Sequence, residues 1–301
     1  MPYSSGHASL GVIDIGSNSV RMVIYDLAHN PPVKIFNEKV ICPLGKDLGT
    51  TGYLNAEAAS SAFKALQAYK LLSEVYHVAA LHVVGTAALR DAVDGADFIA
   101  RVASEIGLTI RIITGDQEAT YAARGVLMFD PAADGVVADF GGGSLELARV
   151  QTDDVQDTIS LPMGAYRVQA MGDQADTMIQ GLLDPVVPRF GRCEALYAIG
   201  GSWRVLASAY MKEQGKKYDL QGYKVPAADM VMFCQKIAGM SDAQLRKTYR
   251  METHQSKLAA VAARTLAAVL THLAPHSFVV STAGVRDGVV HEFLLSFLKT
   301  Q

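Results

Sequence analysis

The chain has 301 residues, of which 50% are apolar and 19% charged, with a formal net charge of −3 and three scattered cysteines. This composition excludes a disordered or a disulfide-stabilised protein, and the small negative charge gives no general attraction to nucleic acid or to an anionic membrane. The first residues lack the basic and apolar regions of a signal peptide, and no apolar stretch reaches the roughly 20 residues of a membrane span. We therefore expect a soluble cytoplasmic protein.

The first predicted element is a strand that ends in an acid and a turn of small residues. Residues 11–25 read G-V-I-D-I-G-S-N-S-V-R-M-V-I-Y, in which Asp14 precedes the turn at residues 16–19 and a second apolar strand follows. Glycine and serine leave backbone N–H groups uncovered, so a phosphate can approach them closely. The stretch predicts a phosphate-binding loop beside a carboxylate, although a tight β-turn uses the same residues.

Strands and helices alternate over the next part of the chain. The pattern predicts a strand at residues 33–41, a helix capped by Asn55 and a buried strand at residues 78–84. The last strand runs into G-T-A-A-L-R-D, where Thr86 supplies a hydroxyl and Arg90 a guanidinium just past a strand end. Ligands of open α/β sheets gather at such ends. A surface ion pair between Arg90 and a nearby aspartate is the alternative.

A second helix and strand lead to the turn T-G-D-Q-E-A. The helix is predicted at residues 96–106 with Gly107 as its C-cap, and the strand at residues 109–113. Asp116 is predicted to cap the helix that follows, which places Glu118 in the first turn of that helix. A glutamate there is usually only a partner of the helix dipole. At a strand-to-helix turn it also points toward the crevice, so Glu118 is a candidate base.

The second half of the chain repeats the design of the first. Residues 136–147 read V-V-A-D-F-G-G-G-S-L-E-L, again an apolar strand, an acid, a glycine turn and a second strand. In this repeat Asp139 corresponds to Asp14, Gly141 to Gly16 and Ser144 to Ser19. Two units of one design predict a duplicated domain with a cleft between the halves, in which two acids and two phosphate loops face each other.

Two more strand-to-glycine turns occur later in the chain. They read L-Y-A-I-G-G-S at residues 196–202 and S-T-A-G-V-R-D-G at residues 281–288, the latter with Arg286 just past its glycine. Trp203, beside the first of these turns, is predicted to pack in the core rather than to stack on a ligand. The eight histidines show no metal-ligand spacing.

Taken in order, these motifs resemble the exopolyphosphatase and guanosine pentaphosphate phosphohydrolase family, a branch of the actin, Hsp70 and sugar kinase superfamily. The match consists of D-I-G-S-N-S-V-R at 14–21, T-A-A-L-R at 86–90, I-T-G-D-Q-E-A at 113–119, D-F-G-G-G-S-L-E at 139–146, I-G-G-S at 199–202 and S-T-A-G-V-R-D-G at 281–288. It covers nearly the whole chain.

The resemblance implies an α/β fold of two ribonuclease H-like (actin-like ATPase) domains, with duplicated topology and an interdomain cleft. We assign residues 1–127 to the first domain and residues 128–301 to the second, whose last helix is expected to pack back on the first. The helical HD-type domain found in many relatives is not expected. Three departures from the family pattern are Gln117 in place of the first of two glutamates, Asp287 in place of a glutamate, and Lys257, loosely aligned, in place of a late arginine.

The resemblance also implies a reaction, the attack of water on the terminal phosphoryl group of a phosphoanhydride. Glu118 accepts the proton in this hypothesis, and we expect burial and neighbouring carboxylates to raise its pKa above the usual value of about 4.3. The implied catalytic residues are Glu118, Asp139 and Glu146. The implied phosphate-binding residues are Ser17, Asn18, Ser19, Arg21, Thr86, Arg90, Gly141, Gly142, Gly143 and Ser144. The implied ligands of Mg²⁺, or of another divalent cation, are Asp14, Asp139 and Glu146.

The resemblance leaves the substrate open. The expected activity is that of an exopolyphosphatase, which releases orthophosphate from the end of inorganic polyphosphate. The alternative is a guanosine pentaphosphate (pppGpp) 5′-phosphohydrolase, alone or as a second activity. An ATP-dependent kinase of the same superfamily is a distant alternative. A non-catalytic binding module is another, against which the intact Glu118, Asp139 and Glu146 argue.

The expected partners are inorganic polyphosphate or pppGpp, without DNA or membrane. A polyphosphate chain needs a channel lined by basic groups, for which the lysines and arginines between Arg167 and Lys257 are candidates. Within that stretch residues 210–223 are predicted as a solvated loop, with a grip on an extended anion as the alternative; their lysines are Lys212, Lys216 and Lys217. Exposed helical residues at 290–298 are expected to be available for a homodimer.

Overall fold

The apolar runs of the sequence form two mixed β-sheets in the computed structural model, which describes residues 9–216 and 219–298. The strands of the first sheet are β1 (Ser9–Ile15), β2 (Ser19–Asp26), β3 (Val33–Ile41), β4 (Ala80–Gly85) and β5 (Ile110–Ile112). Those of the second sheet are β6 (Gly135–Phe140), β7 (Leu145–Gln151), β8 (Asp154–Leu161), β9 (Ala195–Ile199), β10 (Lys224–Pro226) and β11 (Ser277–Val280). Lys217, named above, and His7, one of the eight histidines, lie outside the described residues.

The two sheets have the same topology. The first has the order β3-β2-β1-β4-β5 and the second the order β8-β7-β6-β9-β11-β10, so that β10 is an addition at one edge. In each sheet the first three strands are an antiparallel meander, and the next strand, β4 or β9, pairs in parallel with the first strand of that meander. The strand after it, β5 or β11, pairs in parallel with β4 or β9, and β10 pairs antiparallel with β11. The central strands β1 and β6 are almost continuously apolar because both of their faces are covered. The predicted α/β fold with duplicated topology is confirmed.

Helices surround both sheets. Those of the first half of the chain are α1 (Leu48–Thr51), α2 (Ala56–Val75), α3 (Ala87–Asp91), α4 (Gly95–Ile106) and α5 (Gly115–Phe129). Those of the second half are α6 (Ala165–Ala170), α7 (Ala175–Leu183), α8 (Val187–Phe190), α9 (Gly201–Glu213), α10 (Ala227–Ala238), α11 (Asp242–Tyr249), α12 (Thr253–Leu273) and α13 (Val285–Leu298). Among the described residues, no helix combines the length and the apolar character needed to cross a bilayer.

The helices α5 and α13 occupy equivalent places in the two halves, because each follows the second parallel strand of its half, β5 or β11. They pack against each other between the sheets and share one core with both, to which Leu10, Val137 and Val289 belong. Their crossing is close, because a Cβ on Gly288 would overlap the carbonyl oxygen of Tyr121. The N-termini of both helices therefore reach the same region of the molecule.

The structure corrects three local predictions. Thr114, not Asp116, caps α5: its hydroxyl accepts the N–H of Gln117 at 3.2 Å while the Gln117 side chain accepts the N–H of Thr114 at 2.9 Å. This reciprocal pair binds two free N–H groups, so it is preferred to a single cap. The predicted loop at residues 210–223 begins as helix, since α9 continues to Glu213. Val290 is fully buried and residues 291–295 are partly buried, so this part of α13 is less exposed than predicted, and the homodimer stays a prediction.

The remaining predicted elements agree with the structure to within one or two residues at their ends. Asn55 caps α2 through its side chain, and Gly107 is the left-handed C-cap of α4. Trp203 is buried, stacks on Phe140 and donates to a backbone carbonyl, as expected of a packing residue. Residues 130–134 connect the two sheets, while the division into domains at residues 127 and 128 stays a prediction.

Candidate active site

The two repeated strand-turn units face each other across a cleft. The acids at the ends of β1 and β6, Asp14 and Asp139, both line it, and Glu118 joins them from the first turn of α5. Nine of the ten predicted phosphate-binding residues also line it, namely Ser17, Asn18, Ser19, Arg21, Thr86, Gly141, Gly142, Gly143 and Ser144. Arg90 and Glu146 lie behind this lining.

The two loops have the same turn and touch each other. Gly16 donates to the carbonyl of Ser19 at 3.0 Å, and Gly141 donates to the carbonyl of Ser144 at 3.0 Å. A Cβ on Gly143 would lie 2.8 Å from Oγ of Ser17, so only glycine permits this approach. The two loops therefore close the cleft at the end where Ser17 meets Gly143.

Helix α6 supports the glycine loop and reaches across to the first half. Its N–H groups of Ala165 and Tyr166 bind the carbonyls of Gly141 and Gly142 at 3.0 and 2.9 Å. These two carbonyls are thus turned away from any phosphate in the cleft. The hydroxyl of Tyr166 donates to the side-chain oxygen of Asn18 in the opposite loop.

Glu118 is a buried carboxylate without a full set of partners. Its Oε2 atom has no hydrogen-bond partner, and the nearest cation, Arg90 Nη1, is 3.7 Å away. Burial raises the pKa of Glu118 well above its usual range, and Glu146, Asp139 and Asp14 raise it further. The expected rise in the pKa of Glu118 is therefore supported, with burial as its first cause.

The other buried carboxyl groups behave differently from one another. Burial raises the pKa of Glu146 to about 8, against the opposing effect of hydrogen bonds from Ser144 and Ser160. Burial, followed by the charge of Asp14, raises the pKa of Asp139 to about 6. The free protein thus favours a protonated Glu146 at neutral pH and an ionised Asp139.

Arg90 contacts several groups at once. Its Nη1 atom donates to the carbonyl of Ile113 at 3.0 Å, and its Nε atom donates to Asp91 at 3.3 Å. Asp91 also pairs with Arg167 of α6, which joins the two halves a second time. The surface ion pair considered for Arg90 is present, and its guanidinium nevertheless lies beside Glu118.

Basic side chains lie beside the carboxylates in the same cleft. Lys39, Arg204 and Arg286 line the cleft together with Arg21. Burial and the charges of Arg286 and Arg204 lower the pKa of Arg21 to about 10, and burial lowers the pKa of both Lys39 and Arg204. Such mutual repulsion among clustered cations indicates a site built for a multiply charged anion.

The sequence reasoning did not assign Lys39 or Arg286 to the site, and it included Arg204 only among the lysines and arginines between Arg167 and Lys257 that were candidates for a channel. The signal for Lys39 was strand register: Asp14 pairs with Arg21 across β1 and β2, and Arg21 with Lys39 across β2 and β3. Side chains in such a row point to the same face of the sheet. Arg204 and Arg286 each lie in the first turn of a helix that begins at the cleft, and this position was the available signal for both.

The fit of the site to a divalent cation depends on two carboxylates. Among residues 9–216 and 219–298, no three histidine, cysteine or acidic side chains form a ready-made metal cluster. Glu146 is the register partner of Asp139 on the neighbouring strand, but Asp14, Asp139 and Glu146 do not form such a cluster, so the ligand set expected from the sequence stays a prediction. Asp14 and Asp139 do face each other, and their mutual repulsion is what a cation would relieve. Mg²⁺ commonly takes one or two carboxylates and completes its shell with phosphate oxygens and water, so these two residues fit it.

Comparison with known proteins relates the chain to a family of phosphatases. The sequence model of the Ppx/GppA phosphatase family matches residues 22–297. Exopolyphosphatase 2 of Mycobacterium tuberculosis is 26% identical over 260 residues, which are 78% of this chain and 81% of that protein. An exopolyphosphatase structure from Cytophaga hutchinsonii superposes with a TM-score of 0.85 at 24% identity, over 96% of this chain and 98% of that one. The Ppx/GppA family member of Aquifex aeolicus gives a TM-score of 0.82 at 24% identity, over 97% and 99%.

Proposed function

Because the chain belongs to the Ppx/GppA phosphatase family, we propose that it is an exopolyphosphatase, which hydrolyses the terminal phosphoanhydride of inorganic polyphosphate and releases orthophosphate. One observation carries the proposal above the others. The unpartnered carboxylate of Glu118 faces two glycine and serine loops in a cleft that cations also line. A base, a phosphate cradle and charge neutralisation are what phosphoryl transfer to water requires.

In this proposal the chain's own residues position and activate the water. The loops at residues 16–19 and 141–144 bind the terminal phosphate from both sides, with the Thr86 hydroxyl beside them. Glu118 accepts a proton from the water as the oxygen attacks phosphorus, and the bridging oxygen leaves with the shortened chain. A raised pKa makes Glu118 a stronger base than an ordinary glutamate, provided that it is ionised.

We also propose that Mg²⁺, or another divalent cation, binds at Asp14 and Asp139 together with phosphate oxygens. When bound, it supplies positive charge that offsets the charge on those oxygens. Asp139 suits this role because its ionised form lacks a full counter-charge in the free protein, as its raised pKa indicates.

The shape of the cleft supports attack at a chain end. On the α6 side the halves are joined by loop contact at Ser17 and Gly143, by the hydrogen bond from Tyr166 to Asn18 and by the ion pair of Arg167. On the opposite side the cleft continues into an open groove. A chain that enters from the groove therefore meets the loops with its terminal phosphate.

The lining of that groove favours polyphosphate over a nucleotide. It shares Arg21 and Arg204 with the cleft and adds Lys34, Asn37 and Ser208. Its lining contains three cations and neither an acidic nor an aromatic side chain. A row of phosphates needs cations, whereas a guanine base needs a stacking surface and hydrogen-bond partners for its edges. The pppGpp 5′-phosphohydrolase remains the alternative, alone or as a second activity, because the same loops would accept its terminal phosphate.

The test is phosphate release from long-chain polyphosphate and from pppGpp, measured side by side with Mg²⁺ and with a chelator. We expect release from polyphosphate that depends on the metal and is lost in Glu118→Gln. The control variant is Glu74→Gln, which makes the same chemical change on the exposed face of α2. Silence on both substrates with metal present contradicts the proposal, and release from pppGpp alone replaces it by the alternative.

A further inference from the structure

The first turn of α13 carries a charged residue that contacts the opposite half of the molecule. Arg286 donates from Nη1 to Oδ2 of Asp14 at 2.5 Å, and the two side chains are only 16% and 18% exposed. Asp14 is one of the two carboxylates that we assign to a divalent cation. In the free protein one of its oxygens is thus already bound by a positive group.

The next residue, Asp287, fixes the turn that carries Arg286. Its fully buried carboxylate accepts hydrogen bonds from the hydroxyl of Tyr25 at 3.1 Å and from the N–H of Gly284 at 3.0 Å. It also pairs with Nζ of Lys34 at 2.8 Å. Tyr25 and Lys34 belong to β2 and β3, so the first turn of α13 is tied to the first sheet. The backbone of Arg286 is held at the cleft, and only its long side chain is free to move.

Opposing charges act on the guanidinium of Arg286. Arg21 and Arg204 repel it from the groove side, whereas Asp14 and Asp139 attract it. A cation that approached Asp14 without an anion would meet this guanidinium at the same oxygen, where little water is present to screen the repulsion. Phosphate oxygens change the balance, because a guanidinium binds them with two hydrogen bonds.

We propose that Arg286 excludes a divalent cation from Asp14 until the phosphates of a substrate draw the guanidinium away, so that cation and substrate bind together. The proposal rests on the proposed function, since that function supplies a polyphosphate as the anion. Linkage then requires that anion and cation raise each other's affinity by the same factor. Arg286 thus makes cation binding at Asp14 depend on a bound anion. Asp287 and Lys34 hold the first turn of α13 at the cleft, so that Arg286 reaches Asp14.

The test counts bound Mn²⁺, a paramagnetic substitute for Mg²⁺, by electron paramagnetic resonance of the full chain at about pH 8. Titrations are made with and without sulfate, which has the shape of phosphate and binds Mn²⁺ weakly in water. We expect the unsubstituted protein to bind Mn²⁺ about tenfold more tightly with sulfate. Arg286→Met is expected to bind it about tenfold more tightly without sulfate and to gain little when sulfate is added. The matched control, Arg286→Lys, keeps the charge and is expected to stay weak without sulfate.

Several results would overturn the proposal. Equal Mn²⁺ affinity of the unsubstituted protein with and without sulfate is one, and no Mn²⁺ binding under either condition is another. Tight binding by Arg286→Lys without sulfate is a third, because charge would then not be the barrier. If Arg286→Met fails to fold, as judged by circular dichroism, the unsubstituted protein and Arg286→Lys still decide the matter. Phosphate release from polyphosphate is measured separately, so loss of the proposed function and loss of the binding order are distinguishable.

Discussion

Replacing Asp139 by asparagine is expected to stabilise the folded protein while it damages the site. Folding holds the pKa of this buried carboxyl at about 6 instead of its usual 3.8. At about 1.4 kcal/mol for each pH unit between these two values, ionisation of Asp139 lowers the free energy of unfolding by about 3 kcal/mol. This cost is absent below about pH 3.8, grows up to about pH 6 and is constant above it. Asparagine has nearly the same shape and no charge, so it removes the cost.

The assay is urea unfolding followed by circular dichroism at about pH 8, 6 and 4. Asp139→Asn is expected to gain about 3 kcal/mol at the highest pH, less at the middle one and less than about 1 kcal/mol at the lowest. Asp173→Asn, at an exposed position, is the control and is expected to change stability little at any pH. A gain that does not depend on pH, or a loss of stability at about pH 8, would refute the electrostatic reasoning. Phosphate release by Asp139→Asn is expected to fall, as is common where a site holds destabilising charge.

Three other predictions concern the base, the helix crossing and the groove. Glu118→Gln is expected to lower kcat for polyphosphate about 10²- to 10⁴-fold with little change in KM. In the unsubstituted protein, kcat is expected to rise with pH through the raised pKa of Glu118. A near-normal kcat of Glu118→Gln would show that Glu118 is not the base. Gly288→Ala is expected to lower the free energy of unfolding in urea by about 3 kcal/mol, because the added Cβ overlaps the Tyr121 carbonyl. The control Gly181→Ala, which has open space around it in α7, is expected to raise this free energy by up to about 1 kcal/mol. Equal effects of the two substitutions would contradict the close crossing of α5 and α13. Ser208→Asp is expected to raise KM for long polyphosphate about threefold or more and to affect tripolyphosphate less, and equal effects on both chain lengths would argue against the groove as the path of the chain.

The parts of the site that lie on one short stretch of sequence were predictable. An apolar strand, an acid and a turn of small residues form a local pattern, and its repetition at Asp14 and Asp139 predicted two facing loops. Glu118 was predictable for the same reason, because its place depends only on where a strand ends and a helix begins. The cap of that helix was missed because Thr114 and Asp116 are both good caps. The choice between them depends on whether the third helical residue, here Gln117, can reach back to the chain.

The basic side of the site was not predictable from local pattern. Lys39 is one of several charged residues on an edge strand, and only the register of β3 against β2 selects it. Arg204 and Arg286 depend on the direction in which the first turns of α9 and α13 face, which is set by packing between the two halves. Glu146, by contrast, is the register partner of Asp139 across β6 and β7, so its position follows from the local strand-turn-strand pattern. Its role in the site stays a prediction.

Helices α5 and α13 are equivalent in the fold, yet they carry different charged groups into the cleft. At matching places, one helix presents the carboxylate of Glu118 and the other presents the guanidinium of Arg286. Two identical halves joined around a twofold axis would present either two acids or two bases of the same kind there, and neither combination unites a proton acceptor with a cation. Two copies of one design within a single chain are able to differ residue by residue, as Glu118 and Arg286 do. The proposed chemistry therefore needs two different halves, one that supplies a proton acceptor and one that supplies a cation. A symmetric assembly of a single half is unable to supply both.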